Sequence, residues 1–285
     1  MTATPISASA RKALCAGETG NTDVGWLCSD ILASPEWTDD GAVVLSDIPV
    51  TGLTVARRAV QTLSRALGTL LPQDAAGATL REVKYRGLSI GEGATGRYSD
   101  SREGRQWHTD GPHRPRRPPE IFALLCVRPA RVGGALVLID GERVVSALEQ
   151  DTIEILGQRF FFDQREPDSA PVARQVLHRE NGHWQFSYLR HYIELGHRHP
   201  HLPPLTGRQS AALDRLDATL DRLADSDGGH HRIMLRPGQL VIVDNRRMLH
   251  GRTEFTADPP DGGRLLLRTW IRCYAARSWP ARLVG

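Results

Sequence analysis

Two histidines and one aspartate, distant in the sequence, are the residues of this chain best suited to hold a metal ion. His108 and Asp110 stand two positions apart in WHTD (107–110), and such residues on a strand project from one face. His250 follows much later, within DNRRMLHGR (244–252). Two histidines and a carboxylate form the facial triad that holds non-haem Fe(II) and leaves one side of its octahedron open. We therefore predict an iron site at these three residues.

Zinc is the alternative metal for ligands of this kind. It prefers a closed tetrahedral site or a three-ligand hydrolytic site. A hydrolytic site would call for a general base, and no HExxH-like motif accompanies the ligands in this sequence. Iron is the better match, and a zinc hydrolase is the less favoured alternative.

Two arginines near the end of the chain are candidates for binding an anion. In RLLLRTWIRC (264–273), Arg264, Leu266, Arg268 and Trp270 share one strand face by the period of two. Unpaired arginines are costly to bury in an apolar interior, and a planar guanidinium suits a carboxylate such as the distal end of 2-oxoglutarate. The alternatives are pairing with Asp or Glu on neighbouring strands, or a solvent-exposed face.

The elements that must position these residues are mainly short strands. Helices are predicted over 55–71 and 207–224 from their apolar spacing, and long loops over 97–118 and 164–182. Strands are predicted at 42–50, 80–86, 120–127, 134–140, 158–163, 184–188, 231–236, 238–244 and 263–273. So many short strands favour a sandwich or barrel of jelly-roll type over a βαβ fold, so the predicted class is mainly β with flanking helices.

Length and composition predict one globular domain. The 285 residues are 40% hydrophobic and 24% charged, which is ordinary for a globular protein. Residues 1–22 are small, polar and aperiodic, so we expect a flexible N-terminal arm, followed by a single domain over 23–285. The four cysteines show no CxxC-like spacing and are expected to be free thiols.

Charge and hydropathy argue against nucleic-acid and membrane partners. The net charge is only +3, and the basic residues are scattered rather than interleaved with aromatic ones. No run approaches the roughly 18–20 apolar residues that span a membrane, and the start of the chain lacks the apolar block of a secretory signal. A cytoplasmic location is therefore expected.

In combination, these motifs resemble the Fe(II)- and 2-oxoglutarate-dependent dioxygenases of the taurine dioxygenase, clavaminate synthase and γ-butyrobetaine hydroxylase superfamily. The resemblance runs over about residues 97–275 and is carried by WHTD (107–110), GG (133–134), VLIDG (137–141), DNRRMLHGR (244–252) and the Arg264 and Arg268 pair. It implies a cupin-like double-stranded β-helix. It also implies that His108, Asp110 and His250 bind iron, that Arg264 binds the C5 carboxylate of 2-oxoglutarate, and that Arg268 contacts the primary substrate.

The same resemblance implies a reaction class. O2 and 2-oxoglutarate would be consumed, succinate and CO2 released, and a small molecule hydroxylated, desaturated or cyclised. Related halogenases have a small residue where this chain has Asp110, so halogenation is disfavoured. The expected substrate is an amino acid or a natural-product biosynthetic intermediate. The alternative of another class is a non-catalytic β-barrel that binds a carboxylate or senses iron or 2-oxoglutarate.

Two further features bear on the ligands. Arg114, Arg116 and Arg117 follow the metal motif and would favour a carboxylate-bearing substrate, although a solvated basic loop explains them equally well. Relatives usually have Thr or Ser shortly after the GG pair to help hold the C5 carboxylate, and Leu136 occupies that position here. Either another hydroxyl group substitutes, or the co-substrate sits differently.

Overall fold

The computed structural model describes residues 1–87, 98–166, 168–180, 182–256 and 263–274. The helices within these ranges are α1 (Ala8–Ala16), α2 (Thr22–Ala33), α3 (Pro35–Thr38), α4 (Leu53–Leu67), α5 (Gly141–Ser146), α6 (Gln150–Leu156), α7 (Arg190–Gly196) and α8 (Gly207–Asp225). The strands are β1 (Thr4–Pro5), β2 (Ala42–Ser46), β3 (Gly68–Leu70), β4 (Leu80–Val83), β5 (Arg105–His108), β6 (Ile121–Arg128), β7 (Leu136–Asp140), β8 (Arg159–Phe162), β9 (Val172–Gln175), β10 (Leu177–Glu180), β11 (His183–Phe186), β12 (His231–Ile233), β13 (Leu240–Asp244), β14 (Met248–Arg252) and β15 (Leu265–Cys273).

Two sheets make up the centre of the molecule. The larger has the order β1-β2-β13-β6-β15-β3, with β4 also paired to β15, and the smaller has the order β12-β7-β14-β5. Apart from the parallel pair β1 and β2, the pairings in both sheets are antiparallel. Two short hairpins, β8 with β9 and β10 with β11, lie outside these sheets.

Alternating side chains divide the core into layers. Along β13, Val241 and Val243 contact the smaller sheet, whereas Leu240 and Ile242 pack against α1, α2 and α4. Along β7 the even positions face the larger sheet, and the odd positions pack against α6, α7 and α8. This period of two is what a strand buried on both faces requires. The prediction of a mainly β fold with flanking helices is confirmed.

The N-terminal segment differs from the flexible arm predicted for 1–22. β1 pairs with β2, and α1 buries Ala13 and Leu14 in the cluster beneath the larger sheet. Ser7 caps the start of α1, and Gly17 ends it with a left-handed φ of 85°. Small residues suggested disorder, but alanines favour a helix and let α1 pack closely against α4.

Most predicted elements appear close to their expected limits. The helix predicted over 55–71 is α4, which ends earlier because Gly68 begins a strand: a Cβ on Gly68 would lie 2.1 Å from the carbonyl oxygen of Arg272. The helix predicted over 207–224 is α8, which begins with a capping box between Thr206 and Gln209.

The predicted long loops contain strands. β5 lies within 97–118, and β9 and β10 lie within 164–182. These strands are short, four residues each, and polar, so no hydrophobic alternation marks them. In the described residues, every helix is too short or too polar to cross a membrane.

Candidate metal centre

The structure brings the three predicted metal ligands together between the two sheets. His108 is the last residue of β5 and lies opposite His250 of β14 in the antiparallel register, and Asp110 follows just beyond the strand. Their ligand atoms all lie within 4.8 Å of one another, and all three residues are buried. The two imidazole centroids are 4.2 Å apart. The site therefore depends on the pairing of β5 with β14.

Asn245 ties the two halves of the site together. It lies in the turn between β13 and β14, and its side-chain oxygen accepts from the backbone N–H of Asp110 at 2.7 Å. Its amide nitrogen donates to the carbonyl oxygens of Asp110 and Pro119 at 3.0 and 2.8 Å. Because Asn245 is almost fully buried, these bonds satisfy backbone groups that water does not reach.

Gly251, directly after His250, allows β14 and β5 to approach each other. A Cβ at this position would lie 2.6 Å from the carbonyl oxygen of Arg105 and 3.0 Å from the ring of Trp107. Opposite it, the pairing shifts register, and Arg105 and Gln106 adopt positive φ angles of 57° and 55°. Such angles are strained for residues other than glycine, so this irregularity is held by the surrounding contacts.

The two histidines are neutral, as metal ligands must be. Burial lowers the pKa of His108, although the charge of Asp110 opposes this shift. Burial, followed by the effect of His108, lowers the pKa of His250 to about 3. The Nδ1 atom of His108 lies 2.7 Å from the carbonyl oxygen of Gln106, which can only accept. The proton of neutral His108 is therefore on Nδ1, which leaves the Nε2 lone pair available for a metal.

Asp110 is ionised and held by two donors from β15. Burial would raise its pKa, but the charge of Arg268 and the other donors outweigh burial and lower it. Arg268 Nη1 donates to Oδ1 at 2.7 Å, and the Trp270 indole donates to Oδ2 at 2.8 Å. Two neutral imidazoles and one carboxylate, with an open cavity beside them, fit ferrous iron better than a closed zinc site.

Arg268 pairs with a carboxylate, Asp110, which follows β5 of the smaller sheet and does not lie on a strand next to β15. The contact with the primary substrate stays a prediction for Arg268. Gln73 accepts from Arg268 Nε at 2.9 Å and donates to the Arg268 carbonyl oxygen at 2.8 Å. Arg268 still lines the cavity, but its guanidinium is already bound on two sides.

Arg264 is buried in the cavity, as expected of an arginine that binds an anion. It lines the same cavity with 7% of its surface exposed, and burial followed by the charge of Arg252 lowers its pKa to about 10. Its Nη1 atom is buried without a hydrogen-bond partner in the structure. The GG pair leaves space for the Arg264 side chain, since a Cβ on Gly134 would lie 3.1 Å from Arg264 Nε. A carboxylate of 2-oxoglutarate would satisfy Arg264.

His113, Leu189 and Tyr192 also line the cavity. His113 packs edge-on against the Tyr192 ring, with centroids 4.8 Å apart. The loop that carries His113 is held by Arg174 of β9, which donates to the carbonyl oxygens of residues 112, 114 and 116 at 2.9 to 3.1 Å. Arg116 and Arg117 of this loop are exposed. The basic segment predicted near the metal is therefore a surface loop with an anchored backbone.

The sequence predicts the three residues that the structure brings together, but not most of the residues that hold them. It gives no role to Asn245, Gln73 or Arg252, and it places Trp270 on the face of Arg264 and Arg268 without predicting its bond to Asp110. Asn245 offered a signal, since it stands between a buried strand and the HGR sequence. Gln73 offered none, because its place beside Arg268 depends on the register of β4 and β15.

Comparison with known proteins agrees with the two-histidine, one-carboxylate centre. The model of the family "Taurine catabolism dioxygenase TauD, TfdA family" matches residues 35–270. This match covers most of the chain and includes His108, Asp110, His250, Arg264 and Arg268. The chain belongs to this family of Fe(II)- and 2-oxoglutarate-dependent dioxygenases, which confirms the resemblance inferred from its motifs.

Similar proteins include characterised oxygenases. FR-33289 synthase of Streptomyces rubellomurinus is 29% identical over 261 residues, covering 85% of this chain and 72% of the relative. Uridine-5'-phosphate dioxygenase of a Streptomyces species is 30% identical over 176 residues, covering 59% and 61%. Asparagine oxygenase, solved with Fe(II), 2S,3S-3-hydroxyasparagine and succinate, superposes with a TM-score of 0.69 at 22% identity, covering 95% of this chain and 93% of that chain.

The chain is therefore an enzyme whose cofactors are Fe(II), 2-oxoglutarate and O2. This excludes the non-catalytic β-barrel and the zinc hydrolase that the sequence left open. The ligand geometry and the unpartnered Nη1 atom of Arg264 agree with this class.

Proposed function

We propose that this enzyme hydroxylates a small molecule that carries a carboxylate or a phosphate, an amino acid or a natural-product intermediate, at the cavity formed by His108, Asp110, His250 and Arg264. The observation that carries the proposal is that the buried Arg264, whose Nη1 atom has no hydrogen-bond partner, lines the same cavity as the ligand triad. A dicarboxylate that reaches both the metal and Arg264 satisfies both ends of this arrangement.

In this proposal His108, Asp110 and His250 hold the iron, and Arg264 binds the distal carboxylate of 2-oxoglutarate. Bound there, iron, O2 and 2-oxoglutarate supply the oxidation: one oxygen atom enters the substrate C–H bond, and 2-oxoglutarate becomes succinate and CO2. The protein orients the ligands and excludes water. Arg268 and Trp270 fix the Asp110 carboxylate, so the substrate contact inferred for Arg268 is secondary to this task.

The charge of the cavity supports binding of the 2-oxoglutarate dianion, and the names of similar proteins support a primary substrate that carries a carboxylate or a phosphate. Among its described lining residues are three arginines, Arg252, Arg264 and Arg268, and one carboxylate, Asp110. Asparagine and uridine 5'-phosphate, after which two of the similar proteins are named, both carry an anionic group. Recognition of the substrate carboxylate or phosphate would fall to the part of the cavity lined by His113 and Tyr192.

The finer architecture belongs to the same proposal. The two facing antiparallel sheets support a cupin-like double-stranded β-helix. We also propose that the chain from residue 23 onward forms one domain, of which residues 275–285 lie outside the described part. The N-terminal residues contribute α1 and β1 to the same core.

Substrate-dependent succinate formation tests the function. Purified enzyme with Fe(II) is incubated with 2-oxoglutarate and a panel of amino acids, nucleotides and small carboxylates, and succinate is measured by mass spectrometry. We expect one class that carries a carboxylate or a phosphate to stimulate succinate formation and to gain 16 mass units. His108→Ala is the control and should form none. Stimulation only by compounds that carry neither a carboxylate nor a phosphate would contradict the proposed substrate class.

A second measurement tests the metal centre without turnover. Anaerobic addition of Fe(II) and 2-oxoglutarate should produce a weak visible charge-transfer band, because the 2-oxo acid chelates the metal. Asp110→Ala should diminish the band, and Arg128→Ala, at the exposed end of β6, should leave it unchanged. Absence of the band in the unmodified protein would contradict the assigned iron site.

A further inference from the structure

Arg252 is a second buried arginine beside Arg264. It is the last residue of β14, two positions after His250, so its side chain projects into the space between the sheets. It is 5% exposed and lines the same cavity as the ligand triad. The guanidinium carbons of Arg252 and Arg264 lie 5.3 and 5.0 Å from the centroid of the Phe255 ring. Two cations thus share one aromatic neighbour at one end of the cavity.

Protein contacts satisfy only part of the Arg252 guanidinium. Its Nη2 atom donates to the carbonyl oxygens of Tyr98 and Ser101 and to Ser101 Oγ. Its guanidinium carbon lies 4.0 Å from the centroid of the Tyr98 ring. Its Nε atom is buried without a partner. The nearby Asp100 already pairs with Arg81 and Arg86. The carbonyl and aromatic contacts orient Arg252, and the charges of Glu103 and Asp100 act on it as well.

Leu136 faces Arg252 directly. The two residues are partners in the antiparallel register of β7 and β14, and both side chains belong to the layer between the sheets. Paired residues on one face of adjacent strands have Cβ atoms about 4.5–5.5 Å apart. Position 136 is where a hydroxyl would be expected from the resemblance, and leucine supplies none. Arg252, on the neighbouring strand, is therefore a hydrogen-bond donor beside the position where Leu136 has none.

We propose that Arg252 is a second guanidinium partner for the distal carboxylate of 2-oxoglutarate, in place of the hydroxyl group that Leu136 lacks. The proposal rests on the function proposed above. Two buried like charges repel each other, so a carboxylate between them is bound more strongly than by one arginine and a neutral hydroxyl. It also accounts for the unpartnered atoms on both arginines.

The test compares two ligands that differ only at the distal end. 2-Oxoglutarate and 2-oxopentanoate, which has a methyl group in place of the C5 carboxylate, are titrated calorimetrically into Mn(II)-loaded protein. We expect Arg252→Gln to weaken 2-oxoglutarate binding about tenfold or more, on the scale of a lost hydrogen bond to a charged group, and to leave 2-oxopentanoate unchanged. Unchanged 2-oxoglutarate affinity, or an equal loss for both ligands, would overturn the proposal.

Leu136→Thr provides the rescue. Added to Arg252→Gln, it should restore part of the lost preference for 2-oxoglutarate, because a hydroxyl now faces the carboxylate. Arg232→Gln is the matched control: it makes the same substitution at an exposed arginine of β12 in the same sheet, and the preference should be retained. No restoration by Leu136→Thr would contradict the replacement of the hydroxyl by Arg252.

Two outcomes separate this inference from the proposed function. If the unmodified protein does not prefer 2-oxoglutarate, or if Arg264→Ala leaves the preference intact, the proposed function itself fails. If Arg264→Ala removes the preference but Arg252→Gln does not, only the role of Arg252 fails. Should Arg252→Gln not fold, a crystal structure of the unmodified protein with Mn(II) and 2-oxoglutarate decides. A carboxylate oxygen within hydrogen-bond distance of Arg252 supports the proposal, and contact with Arg264 alone overturns it.

Discussion

Arg268 and Asp110 form a buried ion pair, with Arg268 Nη1 2.7 Å from Asp110 Oδ1 and side-chain exposures of 14% and 4%. The negative charge of the ionised Asp110 is thus compensated by Arg268 even without a bound metal. Trp270 holds the other carboxylate oxygen, so both oxygens are oriented by β15. The metal ligands of β5 and β14 therefore depend on a strand of the opposite sheet.

Arg268→Met should destabilise the metal-free protein by about 3–5 kcal/mol, because it leaves a buried carboxylate without its cation. Urea denaturation of metal-free protein measures this free energy. Arg272→Met is the control, since its contact is a 3.4 Å approach to the Arg117 carbonyl oxygen. If Arg268 instead served mainly to bind the substrate, the variant would keep its stability and raise the KM for the substrate.

Trp270→Phe should weaken metal binding by about 10–100-fold, the usual effect of losing a partner that orients a metal ligand. The phenyl ring retains most of the packing but cannot donate to Asp110 Oδ2. Anaerobic Co(II) titration, followed by visible absorption, measures the affinity. Trp107→Phe is the matched variant, because its indole donates to Asp221 instead. Equal losses in both variants would show that indole packing, rather than this hydrogen bond, matters.

Arg264→Ala should weaken 2-oxoglutarate binding by about 2–5 kcal/mol, on the scale of removing one member of a buried charged pair. Equilibrium dialysis of 2-oxoglutarate against Mn(II)-loaded protein measures this affinity. The metal affinity should change little, since Arg264 does not contact the triad. An unchanged 2-oxoglutarate affinity would refute the assigned role.

Asn245→Ala should lower the free energy of unfolding by about 3 kcal/mol or more, because it leaves buried backbone groups of Asp110 and Pro119 without partners, at roughly 1–3 kcal/mol for each group. Urea denaturation again provides the measurement. Asn21→Ala, which removes the exposed cap of α2, should cost only about 1 kcal/mol. Similar losses in the two variants would contradict the special role of Asn245.

The metal ligands could be predicted because their residue types are rare in combination and their local geometry follows from the strand period. The same reasoning placed Arg264, Arg268 and Trp270 on one face, and the structure confirms that they point between the sheets. The layered β architecture followed from the frequency of short apolar runs. These features depend on sequence neighbours a few residues apart.

The supporting residues could not be predicted because their roles depend on tertiary register. Asn245 bonds to a residue 135 positions away, and Gln73 meets Arg268 across 195 positions. The N-terminal helix was missed for another reason: alanine-rich segments resemble flexible ones until a hydrophobic partner, here α4, is known. Composition alone does not distinguish an alanine-rich helix from a flexible segment.

Carbonyl oxygens of the loop that follows Asp110 accept hydrogen bonds from Arg174, a residue of a hairpin outside both central sheets. Exchange of the side chains on that loop leaves its course unaltered, since the anchoring bonds involve only main-chain oxygens. Substitutions on this loop can thus change the side chains near the cavity, such as His113, while the backbone beside the triad keeps its position.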